Sequence, residues 1–438
     1  MPITLNNELQ FWSFHLKKEQ SKQSTIAKIR GIGTLVNHVA EHKHHLRAHV
    51  MPIYQTTTFG FDDVASALDC FSFKDTESFV YTRGRNPNSI QLAEKISYLE
   101  GLDLIEAAPE RPVNELVDAY ITASGMGAIN VAVLSRMKQG DVAIVQTSIY
   151  GGTHTFWTEI APRFGISAVF VDSFDVEDWT RAFLATPEAN VVYIETPSNP
   201  TMDIHDIAAL ADLAHENEAW LIVDNTFATP YHQRPLGLGA DLVVHSSTKY
   251  LGGHGVTTGG IVVSRHADFV NFFGELGQLG SELGSTPSPQ DSWQINIGLK
   301  TLEVRMQRHA SNAMAVAEYM ASHPKIGKVL YPGLVNNLYH ELAKRQMHNG
   351  FGGLVSFEVK GDIPAAHRFL DALKIPSIAI SLGATDSLIQ NPATMTHRSL
   401  SKDVREAAGI TDGLVRLSVG IENIEDLLAD LDQALEKI

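Results

Sequence analysis

The sequence predicts an α/β fold: a large domain built on a mainly parallel sheet covered by helices, followed by a smaller C-terminal α/β domain. Three observations carry this expectation. Short apolar runs rich in β-branched residues (DVAIVQ, ISAVFVD, ANVVYIET, AWLIVD and DLVVH) recur through the middle of the chain, and such runs between turn signals read as strands buried on both faces. Amphipathic stretches such as DIAALADLAHENEA lie among them, the alternation that builds a parallel sheet. After GGIVVSR the pattern changes to a Gly, Ser and Pro loop (GSELGSTPSPQDS) and one long helical stretch, QINIGLKTLEVRMQRHASNAMAVAEYMASHP. The boundary between the domains is expected near residue 300.

Composition narrows the function classes. A chain of 438 residues is too long for one ordinary core, and 44% hydrophobic with 19% charged residues is the balance of a globular protein. The 34 basic and 50 acidic side chains leave a formal charge of −16, so neither nucleic acid nor an anionic membrane is expected as a partner. Cys70 is the single cysteine; it reads as a packed side chain and permits no intrachain disulfide. The opening MPITLNNELQFWSFHLKKEQ lacks a signal-peptide core and no apolar run is long enough to span a bilayer, so a cytoplasmic location is expected. Histidines 38, 42, 44, 45 and 49 form a tract without the Cys or carboxylate set of a recognisable metal geometry, and no metal is expected.

Taken in order, Asn86-Pro87 marks a turn, and Ile90, Leu92, Ile96 and Leu99 support the helix after it. Tyr81, Arg83 and Arg85 precede that helix; an anion held near its amino end and a plain surface loop are both open readings. Residues 102 to 120 form a polar, acidic segment with Pro109 and Pro112. Ser124, Gly125, Met126 and Gly127 open an apolar helix, where free backbone N–H groups suit phosphate oxygens and small residues equally suit tight packing. DVAIVQTSIYGGTHTFW reads as a strand running to Tyr150, an aromatic placed to stack on a flat ring or to pack. ANVVYIET delivers Glu195 and Asn199 to a strand's far end, and AWLIVD delivers Asp224.

Twenty-five residues beyond Asp224, DLVVHSSTKYLGGHG breaks from strand into Ser246, Ser247, Thr248 and Lys249. Successive strands thus bring a carboxylate and an amine to the carboxyl rim of the sheet, where ligands bind in open α/β folds. Hydroxyls beside the lysine suit a phosphate, the amine can form an imine with a carbonyl cofactor, and a carboxylate keeps a pyridine nitrogen protonated. The combination points to pyridoxal phosphate. In the second domain GLVSFEVK and LVRLSVG read as strands, with helices near PAAHRFLDALK and IEDLLADLDQALEKI. Arg416 sits inside an apolar strand, where its charge must meet a protein carboxylate or a substrate carboxylate; Ser381 is the other notable residue there.

The strings VYTRGRNPN, SGMGAI, YGGT, ETPSNPT, VDNTFATP, HSSTKYLGGHG, SLGATDSL, MTH and LVRLSVG resemble, in order, the Cys/Met-metabolism family of pyridoxal-phosphate enzymes, which embraces cystathionine γ-synthases and γ-lyases, methionine γ-lyases and O-acylhomoserine sulfhydrylases. The resemblance runs from about residue 50 to the end. It implies a fold-type I transferase with an N-terminal arm reaching the neighbouring subunit (1–88), a cofactor domain (89–300) and a C-terminal domain (301–438), assembled as a homotetramer of two active dimers. It implies Lys249 as the imine-forming lysine and proton shuttle, Asp224 on the pyridine nitrogen, and Tyr150 on the ring and at the leaving group. Gly125, Met126, Ser246 and Thr248 would hold the phosphate, with Tyr81 and Arg83 reaching it from the neighbouring subunit. Asn199 would lie near the phenolic oxygen, and Arg416 with Ser381 would take the carboxylate of a small amino-acid substrate.

The implied reaction is γ-replacement or γ-elimination on a γ-substituted amino acid. Ile380 stands where cystathionine-handling members resemble one another in carrying glutamate, which favours a short uncharged tail. Gly152 replaces the cysteine of the methionine γ-lyase pattern, Gly280-Ser281 its Lys-Asp pair, Val256 a common acidic residue and Ile297 a common arginine. These departures place O-acylhomoserine sulfhydrylase ahead of methionine γ-lyase, with a specialised γ-lyase for a substrate such as canavanine as a further reading. A cofactor-binding partner protein without activity is the non-enzymatic alternative; a nicotinamide oxidoreductase lacks its early glycine-rich fingerprint.

Overall fold

The computed structural model describes residues 29–41, 47–398 and 401–438; histidines 42, 44 and 45 and the first twenty-eight residues lie outside it. Seven strands form the larger sheet: β1 (Asp118–Thr122), β2 (Val142–Gln146), β3 (Ser167–Val171), β4 (Ala189–Glu195), β5 (Trp220–Asp224), β6 (Leu242–His245) and β7 (Gly260–Ser264). Their spatial order is β1-β7-β6-β5-β4-β2-β3. All neighbours are parallel except around β7, which runs antiparallel to both β1 and β6. Side chains alternate between two cores as a two-residue period requires: Leu221, Val223 and Val243 enter one, Ile222 and Val244 the other. Burial on both faces accounts for the unbroken apolar runs of the sequence.

Helices cover both faces. α1 (Ile32–His38) and α2 (Pro87–Glu100) pack on the first core through Leu35, Val36, Leu92, Ile96 and Leu99. The fully buried Lys95 ties them, its Nζ donating to Val36 O at 2.9 Å and to Glu41 at 2.6 Å. α3 (Gly125–Leu134) lies on the second core, and α4 (Ile207–Glu216) connects β4 to β5 on the first. Asn86 caps α2 by accepting from Asn88 N, with Pro87 at its first position, the arrangement an Asn-Pro start favours.

The smaller sheet has β8 (Ile326–Leu330), β9 (Leu354–Val359), β10 (Ser377–Ile378), β11 (Leu388–Gln390) and β12 (Leu414–Ser418) in the order β10-β11-β12-β9-β8. The long α5 (Leu302–Ser322) straddles the two units: Leu302 and Met306 belong to the first core, Ala313, Val316 and Met320 to the core under the smaller sheet.

Three elements differ from the sequence reading. The long helical stretch is two helices, Pro289–Leu299 and α5, parted at Lys300-Thr301; just before the break, Gly298 packs so closely that a Cβ there would meet Gly252 O at 2.0 Å. The glycine-rich loop before it starts as a helix, Glu275–Glu282, where Gly277 and Gly280 permit close backbone approach. β2 stops at Gln146, and Tyr150 instead begins a short helix, Gly151–Thr155. Segment 102 to 120 contributes helices Leu102–Ala107 and Val113–Leu116 before β1. Among the described residues no helix is long and apolar enough to cross a membrane.

Candidate active site

Adjacent strand ends bring the reactive groups together. Glu195 and Asp224 are register partners at the ends of β4 and β5, and β6 leads through Ser246 to Lys249. From the smaller sheet β12 contributes Arg416, which alternates with Val415 and Leu417. Those two fill the core, so the guanidinium faces the other way, toward the large domain.

Lys249 Nζ donates to Ser381 Oγ at 2.6 Å, and no carboxylate lies within ion-pair distance of it among the described residues. Burial, followed by the nearby Arg416 charge, lowers its pKa to about 8, so the amine is available as a base near neutrality. Ser381 has φ of 90°, a strained conformation of the kind found at functional sites. It serves two cations, since its carbonyl accepts from Arg416 Nη2 at 2.6 Å.

Arg416 is 2% exposed. Its partners are neutral: Asn199 Oδ1 at 2.9 Å, the Ser381 carbonyl and, with the Gln390 amide oxygen turned toward it, that oxygen at 3.1 and 3.2 Å. Burial lowers its pKa to about 10, but the guanidinium stays protonated. A buried cation fixed by neutral acceptors is poised for an external anion.

The two rim carboxylates are also under-compensated. Asp224 accepts from Thr226 N at 3.0 Å and meets Tyr193 Oη at 3.5 Å. Burial pushes its pKa up, against the hydrogen bonds of Thr226 and the charge of His245. Glu195 is driven well above the usual range by burial and then by Asp224; its oxygens accept from Tyr150 N at 2.9 Å and Asn199 N at 2.8 Å. Glu195 therefore sets the backbone of both predicted site residues. Its place at a strand end was legible in the sequence, but this clamp was not. Tyr150 is 45% exposed, and a Cβ at Gly152 would fall 2.5 Å from its Cε1, so the ring occupies the space a side chain at 152 would need.

At the start of α3, Ser124 Oγ accepts from Gly127 N at 3.1 Å. The N–H groups of Gly125 and Met126 and the Ser246 hydroxyl have no protein partner among the described residues. A Cβ on Gly125 would lie 2.7 Å from Ser246 Cβ, so only glycine lets the two loops meet. Thr248 Oγ1 bonds Gly259, donating to O at 3.3 Å and accepting from N at 3.0 Å. Tyr81 and Arg83 are not joined to this cluster within the chain: Tyr81 is half-exposed, and Arg83 is held by Ser281 O at 3.0 Å and Glu282 at 3.1 Å. Ile380, beside Ser381, is 62% exposed.

The donor set fits pyridoxal phosphate. Unpartnered N–H groups at a helix start suit the phosphate, Asp224 is a buried carboxylate whose deficit a protonated ring nitrogen would offset, and Lys249 carries an amine free of ion pairing.

Comparison with known proteins agrees. The family described as Cys/Met metabolism PLP-dependent enzyme matches residues 33–436. An L-methionine gamma-lyase of Fusobacterium nucleatum subsp. polymorphum is 46% identical over 411 residues, covering 93% of this chain and 98% of that protein. The crystal structure of cystathionine gamma synthase from Xanthomonas oryzae pv. oryzae in complex with cystathionine is 36% identical with a TM-score of 0.84, covering 94% and 99%. A putative O-acetylhomoserine (thiol)-lyase from Campylobacter jejuni subsp. jejuni, whose structure carries N'-pyridoxyl-lysine-5'-monophosphate, is 32% identical with a TM-score of 0.83, covering 93% and 100%.

Proposed function

The chain belongs to the Cys/Met-metabolism family of pyridoxal-phosphate-dependent enzymes, and we propose that it catalyses γ-elimination from an amino acid with a short uncharged tail, L-methionine being the representative substrate. The observation that carries this reading is the buried Arg416, held by neutral groups beside the unpaired Lys249 amine. It is a seat for an α-carboxylate next to a base. The 46% identity to an L-methionine gamma-lyase favours elimination over the sulfhydrylase reading that leads from sequence motifs alone.

Pyridoxal phosphate, when bound, supplies an electron sink that acidifies the protons at the substrate's Cα and then Cβ. The residues of the chain do the rest. Arg416 and Ser381 hold the carboxylate and so fix the substrate for proton removal. Lys249, with its pKa near 8, accepts the Cα proton and moves protons between the substrate carbons. Tyr150, its backbone fixed by Glu195, gives a proton to the departing sulfur. Gly125, Met126, Ser246 and Thr248 would hold the phosphate, Asp224 the ring nitrogen, and Asn199 would stand near the phenolic oxygen. Tyr81 and Arg83 would complete the phosphate site of a partner subunit, in a homotetramer of active dimers. For methionine the sum is methionine plus water giving methanethiol, 2-oxobutyrate and ammonia.

A second reading, replacement by a thiol at Cγ, draws on Ile380, whose apolar side chain suits O-acetylhomoserine as well as methionine. Product analysis decides between them. The purified protein with pyridoxal phosphate is given L-methionine, O-acetylhomoserine with sulfide, or canavanine. Methanethiol and 2-oxobutyrate from methionine are expected; homocysteine as the dominant product, with methionine untouched, would replace elimination by sulfhydrylation.

A further inference from the structure

A buried ion pair lies behind the rim and takes no part in the mechanism above. Glu100 closes α2 and His245 closes β6; Glu100 is 0% and His245 1% exposed, and His245 Nε2 meets Glu100 Oε1 at 2.6 Å. Asn225, the residue after Asp224, donates to the same oxygen at 2.8 Å. The other atoms of the pair, Glu100 Oε2 and His245 Nδ1, are buried without hydrogen-bond partners among the described residues. Such a pair is a poor stabiliser, because desolvation offsets its attraction and an apolar replacement is often neutral or better. Its position calls for another explanation.

The strand register supplies one. Asp224 pairs with Val244 in the parallel β5–β6 ladder, and Val244 belongs to the second core whereas Val243 and Ile261, the partner of His245, belong to the first. His245 therefore lies across the sheet from the Asp224 carboxylate, on the face covered by α2. The groups around Asp224 are Tyr193 and Glu195 from β4 and Thr226 from its own strand's exit on its own face, and His245 from β6 behind it on the other. Of these, only His245 can carry a positive charge, and Glu100 is the carboxylate paired with it. In a dry interior such a charge acts across several ångströms.

We propose that the Glu100–His245 pair is a positioning device for the cofactor: it places a cation behind Asp224 and keeps that carboxylate ionised, and so keeps the ring nitrogen protonated. This rests on the reading of Asp224 as the partner of the ring nitrogen. Losing the cation raises the pH at which Asp224 protonates, so the acid limit of cofactor binding moves up.

The test measures the dissociation constant of pyridoxal phosphate from the apoenzyme across pH, by absorbance, with the melting temperature beside it. Glu100→Gln and His245→Gln, which remove opposite halves of the pair, are each expected to weaken binding about tenfold and to shift its acid limb upward. In an Asp224→Asn background neither should add anything, since the pair acts through that carboxylate. Unchanged binding in both variants, or an equal loss in the Asp224→Asn background, overturns the proposal and leaves the pair a packing feature. If Asp224→Asn alone binds as the parent does, the assignment of Asp224 itself falls, and the proposal with it.

Discussion

Two buried aspartates on neighbouring strands show how this sheet separates stability from chemistry. Asp241, at the amino edge beside β6, is 4% exposed and Asp224, at the carboxyl edge of β5, is 7% exposed. Burial pushes both pKa values up. At Asp241 that effect is outweighed by hydrogen bonds from His266 Nε2 at 3.0 Å, Leu221 N at 2.9 Å and His215 Nε2 at 2.9 Å, and the pKa ends below the usual range. Asp224 has one good hydrogen bond and a carboxylate neighbour, and stays raised. One edge of the sheet satisfies its own charge; the other leaves charge for something else to satisfy. Perturbed groups left in that state are a mark of function.

The largest effect that would sharpen this contrast comes from neutralising each aspartate in turn. Asp224→Asn is expected to lower kcat by about a hundredfold or more, with a melting temperature unchanged or raised. Asp241→Asn is expected to spare kcat and to destabilise by roughly 1–3 kcal/mol, as removing one partner from the hydrogen bonds of a buried group does. The pH dependence of stability should have opposite signs. Asp241, with a depressed folded pKa, contributes stability above its unfolded pKa that is lost as pH falls through the folded value. Asp224, with a raised folded pKa, opposes folding at neutral pH and is relieved as pH falls. Denaturant titrations of parent and variants across the acid range check both signs.

A smaller effect concerns Arg416. Arg416→Ala is expected to raise KM by roughly ten- to a hundredfold through loss of the carboxylate contact. Because the Arg416 charge adds to burial in depressing Lys249, the basic group governing kcat, which reports the complex in which the Lys249 amine is free, should also titrate above about 8 in this variant. A pH–rate profile whose limb stays in place would detach Lys249 from Arg416. Least in size is Ile380→Glu, expected to shift preference from O-acetylhomoserine toward cystathionine by about tenfold, read from the ratio of kcat/KM values.

What the sequence revealed follows the same division. Lys249, Asp224 and Gly125 stand at abrupt changes from apolar strand to polar turn, and Arg416 is a charge within an apolar strand, so local pattern picks them out. The sheet was legible for the same reason, because strands buried on both faces are continuous apolar runs. The contacts that orient the site are long-range and leave no local trace. Arg416 meets Asn199 across 217 positions, and His245 meets Glu100 across 145. Glu195 showed its place at a strand end but not its hold on Tyr150 and Asn199, which depends on how β4 sits beside the exit of β2. The break at Lys300 was hidden because no proline or turn signal marks it, and the close approach of Gly252 to Gly298 beside it comes from another part of the chain.

The most direct test of this account is to find where the cofactor attaches. Reducing the holoenzyme with borohydride and mapping peptides by mass should place a single pyridoxyl group on Lys249, with none recovered from Lys249→Ala. A pyridoxyl group on any other lysine would contradict the assignment of the rim between Asp224 and Arg416 as the active site.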